Sequence, residues 1–458
     1  MNDPKQNAVR IIDVEPFFSL ETPSGEFSFG AGTAGALTLA HVRVRVAGAD
    51  GREADGWGAI FLSHPWAFPT ADVTPKAKDD LMRRIIVALG QRLVSGSAAG
   101  HPLDHFLAIE PLLARIARDV AADAGIDVPV PPLCTLVCLS PIDAALHDAY
   151  GKLHGLNAFD ALGPDHIGWD LSHVLGDAFA GSYLPDFLRQ EPVVTLPVWH
   201  TVGGTDPLTP EEARAAATAP LTEWIANDGV YAFKVKLKGK DLAWDIARLV
   251  DVHTLAARAG HGGRIRLFGD LNEQGPSLDY IQSLVSGLNE RSPEAFASLE
   301  ALEQPDRRDM AEDAMPLAGI AVQVPIALDE GLVSLAAIDR AVELGWNAVC
   351  LKTCKTQSLM LLAMAKACKL GLGITVQDLT NPGIALLHSL ALASRLPVTM
   401  PVETNQRQYY PASSVPEAVV WPGAFSVRDG HVSAAGLAGP GLGYDVSLIE
   451  RDIFRSAG

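Results

Sequence analysis

Between residues 234 and 352, short apolar runs end one after another in charged side chains. They are Lys234-Val235-Lys236, Asp270-Leu271-Asn272, Glu303-Gln304-Pro305, Asp329-Glu330 and Lys352-Thr353-Cys354-Lys355. Three isolated carboxylates bracketed by lysines describe a divalent metal held between two amine bases. Such a set can remove a proton from the carbon beside a carboxylate. Asp270, Glu303, Asp329 and Lys352 follow one another at intervals of 33, 26 and 23 positions. Each interval accommodates one strand, one helix and two loops, the repeat of a (β/α)8 barrel. In that fold the C-terminal ends of successive strands converge on one mouth, so carboxylates distant in sequence can share an ion. Side chains alternate faces along a strand. Lys234 and Lys236 therefore point one way and Phe233 and Val235 the other, and Asp270 shares a face with Asn272.

The elements that must position these residues are visible around them. From about residue 193 to 400, strand-like runs alternate with helical ones: VVTLPVWH, YAFKVKL, RIRLFGDL, ASLEALEQP, VPIALDE, AVCLKTC, GITVQDL and PVTMPVE. These eight strands are the number that closes a barrel. The alternation also suits an open doubly wound sheet, but an open sheet would not bring six successive strand ends to one point. Earlier, VRIIDVEPF, HVRVRVAG and GWGAIFL read as short strands. DDLMRRIIVALGQRLV and LDHFLAIEPLLARIA then carry apolar residues at helical spacing. Ser140-Pro141 reads as the N-cap and first residue of a new helix. The fold class expected is α/β: a modified (β/α)8 barrel over residues 136–404, with an α+β capping domain over 1–135. The tail, 405–458, is expected to return to the cap.

Composition narrows the function classes. Hydrophobic content of 48% and charged content of 20% describe a globular chain with a large core. A formal charge of −18 argues against nucleic acid or an anionic membrane as partner. No run is long enough to span a bilayer, and MNDPKQNAVR lacks a signal-peptide core, so a cytoplasmic location is the expectation. The partner expected is a small-molecule carboxylate substrate, and a homo-oligomer is compatible with it. Cys134/Cys138 and Cys350/Cys354 are spaced C-x3-C in apolar surroundings, which favours packing over zinc. Gly439, Gly441 and Gly443 lack the strand–turn–helix frame of a nucleotide loop.

At these residues the sequence resembles the enolase superfamily, and within it the mandelate racemase/muconate lactonizing enzyme-like group of the muconate-lactonizing Lys/Lys type. YAFKVKLKG, GDLNEQG, LEQP, ALDEG and LKTCK match the ends of the second to sixth barrel strands. PIDAALHDAYGKLHGLNAFDALG resembles the family's first long helix and GPGLGYD its closing segment. The resemblance implies Mg2+ as cofactor, with Asp270, Glu303 and Asp329 as its ligands. It also implies Lys236 and Lys352 as bases on opposite faces of the substrate, Lys234 beside them, and a metal-stabilised enediolate; that mechanism is a family property. Thr356-Gln357 stand where the family usually has two glycines. Strand seven lacks the histidine of the mandelate-racemase subgroup, and strand eight lacks the Asp-x-Asp of dipeptide epimerases.

Several residues have an ordinary structural reading beside the chemical one. Asn272 and Glu330 are candidates to support the metal ligands. Glu300 competes with Glu303, but outside the Glu-Gln-Pro pattern. Lys355 is the alternative to Lys352. Asp378 and Glu403 could touch substrate or only the lysines. His200 reads as a candidate substrate contact or a hydrogen-bonded rim histidine, and His64 and Trp66 as a cap closing over the mouth or as packing. The reaction expected is isomerisation by a racemase, epimerase or cycloisomerase. A dehydratase is the alternative and a non-catalytic ligand-binding barrel the distant one. The 13 histidines form no pair suited to zinc-dependent hydrolysis.

Overall fold

The computed structural model describes residues 4–24, 27–29, 32–96, 98–215 and 219–455. Its first part is a three-stranded antiparallel sheet of β1 (Val9–Glu21), β2 (Leu37–Gly48) and β3 (Glu53–Phe61), with β2 central. Helix α1 (Pro75–Gly96) covers it with Leu81, Met82, Ile85, Ile86 and Leu89, which recur at helical spacing and are buried. Helix α2 (Pro132–His154) packs on β3, and two glycines permit the approach. A Cβ at Gly56 would come within 2.1 Å of the Ala145 carbonyl oxygen, and one at Gly58 within 2.2 Å of that of Pro141.

The start expected for α2 at Ser140 is corrected here: the helix runs through Pro141 from Pro132. Proline has no N–H for the carbonyl four residues back. The Ser140 hydroxyl donates to that carbonyl, Val137 O, at 2.9 Å, so the helix continues.

Eight parallel strands then follow: β4 (Thr195–Val202), β5 (Ala232–Lys236), β6 (Arg266–Asp270), β7 (Leu299–Glu303), β8 (Ile326–Leu328), β9 (Ala348–Lys352), β10 (Gly373–Gln377) and β11 (Val402–Glu403). They pair in the order β10-β9-β8-β7-β6-β5-β4-β11. The Thr399 and Met400 amides, leading into β11, donate to Ile374 O of β10 at 3.0 and 3.2 Å. That contact closes the sheet, and the fold is the modified (β/α)8 barrel with an α+β cap. Helices α3 (Leu242–Arg258), α4 (Leu278–Arg291), α5 (Leu335–Glu343), α6 (Gln357–Leu370) and α7 (Ile384–Arg395) lie between its strands in sequence. Inside the barrel, Trp199, Phe268, Ala301, Ala327, Cys350 and Met400 form an apolar cluster separate from the main core. Two rings set against alanines fill the interior.

The tail serves both parts. Strand β12 (His431–Ser433) pairs antiparallel with the start of β4, at the barrel's N-terminal end. Beyond it, the Leu442 amide donates to Asp148 of α2 and the Tyr444 hydroxyl to Trp57 O of β3. Phe454 packs edge-on to the Trp57 ring at 4.9 Å. Among the described residues, no helix is long and apolar enough to cross a membrane. All five cysteines are free thiols, four of them buried.

Candidate active site

The period-two alternation of the strands decides what faces the barrel axis. On β5 the inward residues near the mouth are Lys234 and Lys236. On β6, β7 and β8 an inward apolar residue is followed by a carboxylate at the strand end or just past it: Phe268 then Asp270, Ala301 then Glu303, Ala327 then Asp329. On β9 Cys350 precedes Lys352. All three carboxylates are fully buried.

Lysine ammoniums tie these acids together. Lys234 Nζ lies 3.2 Å from Asp270 Oδ2 and 2.9 Å from Glu303 Oε1, and donates to Gln377 Oε1 at 2.8 Å. Gln377 Nε2 in turn donates to Glu303 Oε2 at 2.8 Å. Lys236 Nζ meets Asp270 Oδ2 at 2.5 Å. Lys352 and Lys355 divide Asp329, on Oδ2 at 2.7 Å and Oδ1 at 2.9 Å. Of the two further cavity-facing acids, Asp378 and Glu403, the latter lies 3.4 Å from Lys234 and accepts from the Thr201 hydroxyl at 2.9 Å.

The electrostatics follow from burial and these partners. Burial alone would raise the Asp270 and Asp329 pKa values, but Lys236 and Lys234, and Lys352 and Lys355, hold both below the usual carboxylate range. Glu303 goes the other way, pushed well up by burial and then by the charge of Asp270, with Asp329 adding. Three carboxyl groups therefore crowd one region, and Glu303 is the one whose charged form is disfavoured. Burial alone would lower the Lys352 pKa, and Asp329 overrides it and raises it. Asp378 is pushed well up by burial and then by Glu403.

The donor chemistry suits a hard divalent cation such as Mg2+: three buried carboxylates on neighbouring strands, all oxygen. Their oxygens are turned towards lysines in this structure. Among the described residues, no three His, Cys, Asp or Glu side chains are gathered as a metal-ligating cluster. Each carboxylate has an ammonium within reach, and an ion pair already satisfies it.

Support residues surround this centre. The Asn272 amide N–H donates to Asp270 Oδ1 at 2.9 Å, and its side chain to Glu330 Oε1 at 3.0 Å. Trp66 of the cap donates to the same Glu330 oxygen at 2.9 Å, and its ring lies 4.9 Å from Lys352 Nζ. Burial, then Asp329, pushes Glu330 up to about 7. Gln304 accepts from the Asp329 and Gly331 amides at 3.0 and 3.1 Å, fixing the turn after β8. Arg308 pairs with Glu273 and donates to Trp66 O, which fastens the cap loop to the barrel.

A single cavity is lined by Lys234, Lys236, Lys352, Asn272, Asp378 and Glu403, with Trp66 and Tyr410 over them. Lys355 is fully buried behind it on Asp329. Glu300 pairs with Arg266 away from the cavity. Of the two readings of His200, the structure supports the hydrogen-bonded histidine and not the substrate contact: it faces out of the barrel, since Trp199 and Thr201 face in. Its ring sits by Trp224 and Phe233, held by Arg407 and Gln408. Gln377 and Thr201 went unremarked in the sequence reading. The signal that could have found them is the same alternation, since Thr375 and Gln377 take inward positions on β10.

The family model described as enolase C-terminal domain-like matches residues 216–450, just over half of the chain. This chain belongs to the enolase superfamily. It is an enzyme of the mandelate racemase/muconate lactonizing enzyme-like kind. Solved structures share the fold across nearly the whole chain. The L-Ala-D/L-Glu epimerase from Bacillus subtilis, in a substrate-liganded complex, is 19% identical, with TM-score 0.62 over 95% of this chain and 98% of that one. The muconate lactonizing enzyme from Pseudomonas fluorescens, complexed with muconolactone, is 17% identical, with TM-score 0.60 over 97% and 100%. A dipeptide epimerase from Methylococcus capsulatus, complexed with Mg and the dipeptide L-Arg-D-Lys, is 20% identical, with TM-score 0.61 over 95% and 99%. No curated protein matches the sequence.

Proposed function

We propose that this superfamily member removes the α-proton of a carboxylate substrate with Lys236 and Lys352 as the acid–base pair, and that the overall reaction is an isomerisation of the muconate-lactonizing Lys/Lys type. The observation that carries this reading is the shared cavity: Lys236 and Lys352 come from β5 and β9, four strands apart in the barrel order, yet line the same space. Each presents an amine to what lies between them, which is the geometry for exchanging a proton on either face of one carbon.

Asp270, Glu303 and Asp329 would hold Mg2+, with Asn272 and Glu330 steadying them through the hydrogen bonds above. When bound, Mg2+ supplies positive charge where the substrate carboxylate gains negative charge as the proton leaves. Lys234 neutralises Glu303 and Glu403 and keeps the floor of the cavity from repelling an anionic substrate. The sheet β1–β3 with α1, α2 and the tail from Leu442 onward act as the cap and β4–β11 as the catalytic barrel, which β12 of the tail joins, with Trp66 and Tyr410 excluding water from the lysines.

Dehydration is the second reading, and one observation favours it. Asp329 holds Lys352 protonated, and an ammonium in that place could give its proton to a departing hydroxyl. A panel of carboxylic acids incubated in D2O with MgCl2 and read by mass spectrometry separates the outcomes. Deuterium incorporation supports α-proton abstraction, and loss of water marks the dehydratase. No exchange into any acid of a panel spanning amino, hydroxy and unsaturated acids would count against the proposal.

A further inference from the structure

The cap adds a second cavity, of about 540 Å³, beside the one that holds the lysines. Leu37, Trp66 and Asn272 line both, so the two spaces adjoin. The larger one is bordered by the cap loop that begins at His64 and by the first turn of α1, including Lys78. We propose that Lys78 binds an anionic group at the far end of the substrate, so that the enzyme acts on a molecule carrying a second carboxylate or a phosphate. This inference rests on the proposed α-proton chemistry for where the first carboxylate sits, and it identifies the substrate class.

The argument starts from the cost of placing Lys78 where it is. Its residue is only 6% exposed. The ammonium has three donors, and its hydrogen-bond acceptor is one backbone carbonyl, Thr70 O. Among the described residues it makes no ion pair with a carboxylate. Its other neighbour is the Phe68 ring, at 5.7 Å. A buried cation without a counter-charge is unfavourable. The fourth residue of a 22-residue helix is an unfavourable place too, because the positive end of the helix dipole lies there. No acidic residue stands in that first turn to relieve it. Burial lowers the Lys78 pKa, as expected of an ammonium without a partner.

Both penalties change sign for an anion. The spare ammonium donors and the positive helix end would attract the same group, in a cavity with room for it. The other cation there is already committed: Arg308 is paired with Glu273 and with Trp66 O. Lys78 is therefore the cation left for a ligand, and a position in the first turn of α1 keeps it rigid.

Binding, measured calorimetrically on the full chain with MgCl2, tests the inference without requiring turnover. The probes are glutarate and adipate, 5-phosphonopentanoate, and the monoanions pentanoate and hexanoate. The expected result is at least about ten-fold tighter binding of one dianion than of the monoanion of the same length, equivalent to about 1.4 kcal/mol. Lys78→Met should erase that preference while leaving monoanion binding unchanged, and Lys78→Arg should keep it. A phosphonate preferred over the dicarboxylates would name the distal group as phosphate; the reverse order would name it as carboxylate. Lys78→Gln replaces the Met variant if that one fails to fold. Wild-type protein without a dianion preference, or a preference that survives in Lys78→Met, would overturn the inference. The two readings fail separately. A chain that exchanges no α-proton can keep a Lys78-dependent preference, and one that exchanges protons can lack it.

Discussion

The two ends of the barrel are built on opposite rules. Towards the N-terminal ends of the strands, Trp199 and Phe268 pack against Ala301, Ala327 and Cys350, and the interior is an apolar plug. At the C-terminal ends the same strands turn to Asp270, Glu303, Asp329 and Lys352, all buried and ionisable. Backbone strain divides the same way. Among the described residues, five of the seven non-glycine residues at positive φ, namely Asn272, Glu273, Gln304, Thr356 and Thr380, lie in loops just after β6, β7, β9 and β10. At the other end glycines take that conformation, as Gly229, Gly345 and Gly371 do just before β5, β9 and β10. Glycine adopts it without steric cost, whereas Thr356 and Thr380 do not. The base is built for stability and the mouth carries strain and charge that stability alone would not select.

The largest expected effect lies at the mouth. Lys236→Met and Lys352→Met should each lower α-proton exchange at one face by about 10²–10⁴-fold, the usual worth of a general base. Exchange measured separately on each enantiomer of a substrate in D2O reads this. Equal exchange at both faces in both variants would remove the lysines from the proposal. At the base, Trp199→Ala should cost about 3–5 kcal/mol of folding stability in denaturant titration, as a large side chain leaves a cavity. Exchange should survive in the folded fraction. Loss of exchange without loss of stability would break the division between the ends.

A smaller effect is expected from metal. MgCl2 at about 100 times its dissociation constant should stabilise the wild-type chain by about 2.7 kcal/mol through binding linkage. Asp329→Asn should lose most of that gain in thermal unfolding while keeping its fold. The smallest effects compare strain directly. Thr380→Gly should be neutral or stabilising by about 1 kcal/mol, since it relieves a positive φ of 59°. Gly371→Ala should cost about 1 kcal/mol, because its φ is 68° although nothing lies within 4 Å of the added Cβ. Opposite signs in these two variants would sharpen the comparison, and equal signs would weaken it.

Much of this was legible beforehand because it depends on short-range periodicity. The alternation of strand residues put Lys234 with Lys236 on one face. The intervals from Asp270 to Lys352 marked the repeat of the barrel. The misses arose where a second group decided the outcome. Ser140-Pro141 reads as a helix start until the Ser140 hydroxyl is seen to satisfy Val137 O. His200 keeps two readings, substrate contact or hydrogen-bonded rim histidine, until Trp199 and Thr201 are seen to occupy the inward positions. Gln377 gains its place from Lys234 and Glu303, which are remote in sequence.

The sequence by itself determined the strand and helix periods, the order of charged strand ends and hence the barrel with its acid and amine mouth. Those features are set within a few residues, by side-chain type and spacing. Tertiary structure decided how the two lysines after β9 are placed, with Lys352 lining the cavity and Lys355 buried on Asp329. It alone joined Trp66 to Glu330 and Arg308 to Glu273, and so placed the cap over the mouth. It also left Lys78 buried beside an open cavity without a carboxylate partner. Each of these depends on chain closure over tens to hundreds of residues, where packing and desolvation, which no local pattern encodes, choose among partners of equal chemical type.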